Sequence, residues 1–178
     1  MCIMERQKHG FTYQERVIEK FNIKATESYT NEWDGTLNGV PVSIKTEKFG
    51  SDIEMADYFR ISSITQDFYL IVGFWEGEKD NIVDERVLLI KGEEFHLLFN
   101  QIFEVKFKEL LASITNDKSD DEKWKKMISD LKAEYKKLTP NLIRPRFKRD
   151  HKKQKRIQCA INNKDFYSYF VVKYEVSL

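Results

Sequence analysis

The apolar positions of this 178-residue chain change period several times, and each change predicts an element. Val17, Ile18 and Phe21 recur at helical spacing and predict a first helix over residues 12–21. Residues 25–30 read as a short strand. Two extended runs then meet at Asn38-Gly39, the strongest local signal for a two-residue hairpin with a type I′ turn. Ser51 opens a predicted second helix over 51–63, with Ile53, Met55 and Phe59 available for burial. Residues 67–75 form a continuous apolar run of strand length, as expected of a strand covered on both faces. Another short strand follows at 86–91, and residues 93–114 read as helical. Trp124, Met127, Ile128, Leu131, Tyr135 and Leu138 stand at helical spacing, predicting an amphipathic helix over 121–138 that Pro140 ends. Residues 156–176 read as two strands joined near Asn162-Asn163-Lys164. This alternation predicts an α/β sandwich without internal repeats.

The hairpin carries the first candidate chemistry. Counting outward from the turn places Leu37 opposite Val40, Asp34 opposite Ser43 and Glu32 opposite Lys45. Side chains alternate faces along a strand, so Asp34, Glu32, Ser43 and Lys45 are expected on one face. Trp33 and Ile44 are expected on the other, pointing into a core. A carboxylate and an amine on one rigid ribbon can hold a divalent cation against a phosphate.

Composition narrows the class. With 41% hydrophobic and 13% aromatic residues, three prolines and seven glycines, the chain predicts a single domain over 1–178 with a real core. No apolar run is long enough to cross a bilayer, and the opening residues do not read as a signal peptide. Two cysteines and three histidines give neither a disulfide framework nor metal-ligand spacing, so a reducing, cytoplasmic setting is expected and zinc is not. The net charge of +1 conceals an asymmetry. Arg144, Arg146, Lys148, Arg149, Lys152, Lys153, Lys155 and Arg156 face one acid, Asp150, a net +7 that leaves the rest of the chain at −6. Such a segment points to a polyanionic partner. Pro145, Phe147 and Gln154 interrupt the run, and it leads into a predicted strand at 157–161 rather than a tail.

An Asp, a short hairpin and a residue-x-Lys strand together resemble the metal-binding core of the PD-(D/E)XK nuclease superfamily, which includes many type II restriction endonucleases. The resemblance covers residues 10–75 for a catalytic core, within an expected core region of 10–91, and 142–161 for a DNA-contacting region. The helical segment 93–139 matches nothing specific. The implied fold is a restriction-endonuclease-like αβα sandwich with a mixed central sheet. The implied cofactor is Mg²⁺, held by Asp34 and by the backbone carbonyl of Ile44, with Lys45 beside the attacking water. The chain departs from the pattern at Ser43, where the superfamily carries Asp or Glu. Some restriction enzymes move that carboxylate to the following helix, which makes Glu54 a catalytic and metal-ligand candidate. Glu15 on the first helix is a second. Ser51-Asp52-Ile53-Glu54 and Thr12-Tyr13-Gln14-Glu15 also match the capping box, whose Glu reaches back to the N-cap amide, so both glutamates have a structural alternative. Asp52, Asp57 and Glu47 are lesser competitors.

The basic segment resembles the restriction-enzyme arrangement of a Lys/Arg-rich loop before a Gln-containing strand. Arg and Lys can clamp phosphates, Arg can read guanine and Gln can read adenine. Arg144, Arg146, Lys148, Arg149, Lys152, Lys153, Gln154, Lys155 and Arg156 are the DNA-binding candidates, with Gln154 and Arg156 best placed for bases. The expectation is a Mg²⁺-dependent endonuclease cutting a specific double-stranded DNA sequence. The resemblance also implies a homodimer, since two-fold targets match two-fold proteins. The rivals are a nuclease of another role, such as a junction resolvase or repair nickase, and a non-catalytic nucleic-acid-binding protein.

Overall fold

Nothing polar interrupts the run Phe68–Trp75, and in the structure it forms β5, with every residue except Trp75 buried. The structure is a computed structural model that describes residues 3–26, 33–78, 80–113, 121–138, 142–149 and 155–178. The fold is mixed α/β, and the chain divides into two compact units, each assembled from separated segments.

Unit one comprises Met1–Ile53, Thr65–Glu93 and Asn162–Leu178. Its elements begin with helix α1 (Ile3–Lys20) and strands β1 (Lys24–Ala25), β2 (Gly35–Leu37) and β3 (Val40–Lys48). After β5 comes β6 (Ile82–Ile90). The five strands lie in the order β1-β2-β3-β5-β6, with β3 and β5 parallel and the other neighbours antiparallel. The turn between β2 and β3 has Asn38 at φ 52° and Gly39 at φ 81°, as a type I′ turn requires.

One face of this sheet packs on α1. Tyr13 and Val17 of the helix join Leu37, Val42, Ile44, Tyr69 and Ile71 in one cluster. Gly73 lies under the Tyr13 ring, where a Cβ would stand 2.4 Å from Cζ, so the helix docks this closely only over glycine. Tyr13 donates through its hydroxyl to Glu85 of β6 at 3.0 Å, and burial and this carboxylate both push the phenol pKa upward.

The opposite face is covered by a helical run over 163–174, made of α6 (Asn163–Asp165), a π-helical turn (Phe166–Val171) and α7 (Val172–Tyr174). Phe166, Phe170 and Tyr174 are buried at a spacing of four, and Phe166 meets Phe74 of β5 at 5.6 Å between ring centroids. The two strands expected over 156–176 are therefore one strand and one helical run. Asn162 explains the switch: its side chain accepts from the Lys164 and Asp165 amides and caps the helix. The aromatic content that reads as strand here serves a helix face instead.

Unit two comprises Glu54–Ile64 and Glu94–Ile161. Its sheet has the order β4-β8-β7, from β4 (Ile53–Asp57), β8 (Lys155–Ile161) and β7 (Ile143–Arg149). The predicted helix over 51–63 is thus a strand in its first half. Ile53 and Met55 are buried while Glu54 and Ala56 are half-buried, a period of two; only Tyr58–Ser62 (α2) is helical, capped by Asp57. The predicted helix over 93–114 is broken as well. It consists of α3 (Gly92–His96) and α4 (Gln101–Ala112), and α4 starts where Asn100 accepts from the Ile102 and Phe103 amides. Helix α5 (Asp121–Tyr135) follows the prediction closely. Tyr58, Phe99, Phe103, Phe107, Tyr135 and Phe147 form an aromatic core, with most ring pairs edge to face at 5.0–6.1 Å.

Candidate functional site

Next to the turn the hairpin register is the one counted from the sequence: Leu37 pairs with Val40, Thr36 with Pro41 and Gly35 with Val42. The regular pairing ends there, and the Asp34 amide donates to the Val42 carbonyl at 2.9 Å instead of standing square to Ser43. Glu32 lies outside the described residues. The faces differ from the simple alternation. Asp34 turns its carboxylate to the α1 side: Oδ1 accepts from Gln14 Nε2 at 3.2 Å, and Oδ2 accepts from the Ile44 amide at 2.7 Å. Trp33 goes the other way, its ring 5.3 Å from Phe68. Phe68 is on the face of Leu70 and Val72, which pair with Ser43 and Lys45, so Trp33 shares the lysine's face and not that of Ile44. Beyond Gly35 the carboxylate of Asp34, rather than a backbone carbonyl, meets β3, and the alternation reverses there.

This arrangement puts hard oxygen donors on one strand edge. The N–H and C=O of a strand residue point to the same neighbour, so the Ile44 carbonyl emerges on the edge where Asp34 sits. A carboxylate offers about four lone-pair directions, and the Ile44 amide and Gln14 use two. The remaining directions and the carbonyl suit a hard cation such as Mg²⁺, which takes few protein ligands and keeps several waters. Among the described residues no three His, Cys, Asp or Glu side chains cluster as a ready metal group.

The other predicted residues divide between the units. Lys45 is half-buried on β3, in a cross-strand row with Val72 and Arg86. Glu15 is exposed on α1, next to Gln14. Its capping-box reading fails because α1 begins at Ile3 and Thr12 is inside the helix. Asp52 accepts from Asn162 Nδ2 at 3.1 Å and from the Asn163 amide at 3.2 Å, and so fastens the C-terminal helical run. Asp57 caps α2. Glu54 belongs to unit two and lies on a strand, so its capping-box reading fails too.

In unit two the basic segment is a β-hairpin rather than a loop leading into a strand. Arg146 pairs with Gln158, Lys148 with Arg156 and Arg144 with Ala160, so Arg144, Arg146, Lys148, Arg156 and Gln158 share one face. Ile143, Phe147, Ile157, Cys159 and Ile161 occupy the other, and all but the half-buried Phe147 are buried. Glu54 is on the basic face, with Oε1 3.7 Å from Arg146 Nε and Oε2 3.7 Å from Lys148 Nζ. Lys155 pairs with Arg149 at the end of the hairpin where β7 leads on to β8. The backbone of Arg149 ends β7, while Lys152, Lys153 and Gln154 lie outside the described residues. Burial pushes the Cys159 thiol up to about 12, which suits a packing residue and not a nucleophile.

Two of these polar residues are inconspicuous in the sequence. Gln14 stands there only inside a capping-box pattern. Gln158 lies beyond the basic run that holds Gln154, and only the alternation of charged and apolar residues over 143–149 and 155–161 marks it as outward-facing. No helix among the described residues is long and apolar enough to cross a membrane. Neither a family model, nor a curated protein, nor a solved structure matches this chain.

Proposed function

We propose that the protein is a Mg²⁺-dependent DNA endonuclease of the PD-(D/E)XK type, acting in the cytoplasm as a homodimer on a specific duplex sequence. The observation that supports this most is the Asp34–Ile44 contact, which sets a carboxylate beside the backbone of the residue preceding Lys45. Asp34 and the Ile44 carbonyl would hold the metal, which when bound supplies charge neutralisation at the phosphate and a more acidic water. Asp34 keeps its orientation through Gln14 and the Ile44 amide. Lys45 contributes a positive charge for the developing phosphorane. Within unit one, Glu15, Glu47 and Asp52 are the sequence candidates for the carboxylate absent at Ser43. The β1-β2-β3-β5-β6 sheet, with α1 on one face and β3 parallel to β5, is compatible with the restriction-endonuclease-like sandwich. The basic face of unit two supplies the cations for duplex DNA.

The rival is a non-catalytic nucleic-acid-binding protein. It is favoured by the bonds that Asp34 already makes and by its turning away from the face of Lys45. Incubating the purified protein with a large plasmid, with and without Mg²⁺, decides between them. Discrete bands dependent on Mg²⁺ are the expected result. A smear would indicate a nuclease without sequence preference, and nicked circles a nickase. Intact plasmid that is nevertheless bound would favour the rival.

A further inference from the structure

We propose that Glu54 is an internal stand-in for a phosphate on the basic face of the β4-β8-β7 sheet, engaging Arg146 and Lys148 in the free protein and yielding them to the backbone of duplex DNA. The inference rests on the DNA-binding part of the reading above and is independent of whether the protein cleaves.

The geometry is that of a two-oxygen anion between two cations. Each carboxylate oxygen faces a different partner, one a guanidinium and one an ammonium, both at 3.7 Å. That is ion-pair distance but longer than a charge-assisted hydrogen bond, so the contact is loose enough to exchange. All three side chains are half exposed, at 42% for Glu54, 39% for Arg146 and 42% for Lys148. Exposed pairs of this kind add little to folding. A glutamate in a short strand is also a poor choice for strand propensity. Its effect falls on the partner of that face, because it offsets one of the four positive charges at Arg144, Arg146, Lys148 and Arg156.

Duplex DNA is the polyanion that fits. Successive outward residues of β7 stand about 6.8 Å apart, twice the rise per strand residue, so the row of cations keeps step with the backbone of a duplex, which rises ~3.4 Å along its axis per base pair. Gln158, the cross-strand partner of Arg146, adds an amide capable of pairing with a base edge on the same face. An internal carboxylate on such a surface weakens its grip on every sequence equally. The ratio of cognate to random affinity is then unchanged, while the absolute grip on both is lowered.

The test is binding of a labelled random-sequence duplex of about 30 base pairs, in EDTA, over a salt series. Glu54→Gln should tighten binding by about 3–10-fold near 0.1 M salt and steepen the slope of log affinity against log salt by about 0.9, the value of one further phosphate contact. Glu54→Asp, which keeps the charge, should bind as the wild type does, so a disturbed strand cannot imitate the effect. In the background of Arg146→Gln with Lys148→Gln, the gain from Glu54→Gln should disappear. An unchanged affinity in Glu54→Gln would overturn the proposal, as would a gain that survives whole in the double background. Tighter binding of a single strand of the same length would overturn the choice of duplex. A wild type that does not bind the duplex would sink this inference together with the DNA-binding reading, whereas binding without cleavage would leave it standing.

Discussion

Strand β5 is covered on both faces, by α1 on one and by the helical run 163–174 on the other, whereas β7 and β8 bury one face and carry cations on the opposite one. The difference is written in the sequence as a continuous apolar run against a strict alternation. It also sorts the chemistry. Where both faces are occupied, only an edge is left for polar work, and unit one accordingly keeps Asp34 at the rim of its sheet. Where one face is open, a row of side chains can act in parallel, which suits binding a long polyanion. Edges position single groups; faces collect many.

The largest effect should come from breaking the edge. Asp34→Ala should reduce Mg²⁺-dependent plasmid cleavage by about 10²-fold or more, by removing a metal ligand. It should also lower stability by about 1–3 kcal/mol, because the Ile44 amide loses its acceptor. Lys45→Ala should cost a comparable loss of cleavage through missing charge stabilisation, with a smaller change in melting temperature. Either variant cutting at the wild-type rate would end the catalytic assignment.

Next is the doubly covered core. Gly73→Ala forces a methyl group into the Tyr13 ring and should destabilise by about 1–3 kcal/mol in chemical denaturation. An unchanged midpoint would show that α1 can lift from the sheet at little cost.

The open face should respond in a graded way. Arg144→Ala should flatten the salt dependence of duplex binding by about 0.9, alike on all sequences. Gln158→Ala and Arg156→Ala should instead cost ~1–3 kcal/mol on the preferred sequence and little on random DNA. If Gln158→Ala and Arg144→Ala behaved identically, base reading would have to be assigned elsewhere.

The smallest effect concerns a surface pair in unit one. Asp67 accepts from Lys91 Nζ at 2.7 Å and from the Gly92 amide at 3.1 Å, and chiefly the lysine holds its carboxyl below the usual carboxylate range. Because the folded pKa is depressed, its contribution is complete above the unfolded value of about 3.9 and fades as pH falls through the folded one. Asp67→Asn should therefore lose about 0.2–1 kcal/mol near neutrality, the range of an exposed pair, and nothing against the wild type in strong acid. A difference that persisted at low pH would mean that the Gly92 contact matters without the charge.

What was legible in the sequence was whatever short-range chemistry decides. Asn38-Gly39 fixed its own turn and, through it, the pairing of Leu37 with Val40; the run at 67–75 declared a buried strand; the Trp124–Tyr135 stripe declared a helix. The readings that failed were those settled at a distance. Ile53 and Met55 fit a helix or a strand until β8 is there to pair. Phe166, Phe170 and Tyr174 look strand-like until Asn162 caps them and β5 offers a face. Asp34 and Trp33 exchanged faces because a side chain replaced a backbone acceptor at one residue, which no alternation rule foresees. Likewise Glu54 reads as a helix-cap or metal-site residue until Arg146 and Lys148 lie beside it on the β4-β8-β7 sheet.

The discontinuous make-up of unit one has a consequence for how the chain is made. The apolar side of β5 and β6, with Phe74, Leu88 and Ile90, waits for Phe166 and its neighbours, some ninety residues downstream of Phe74. During synthesis that surface stays wet and adhesive until the segment Asn162–Leu178 has emerged. Late closure of this kind gives slow, non-local folding and a window for aggregation. Ribosome-bound chains ending near residue 161 should therefore engage holding chaperones more strongly than chains from which Asn162–Leu178 has also emerged.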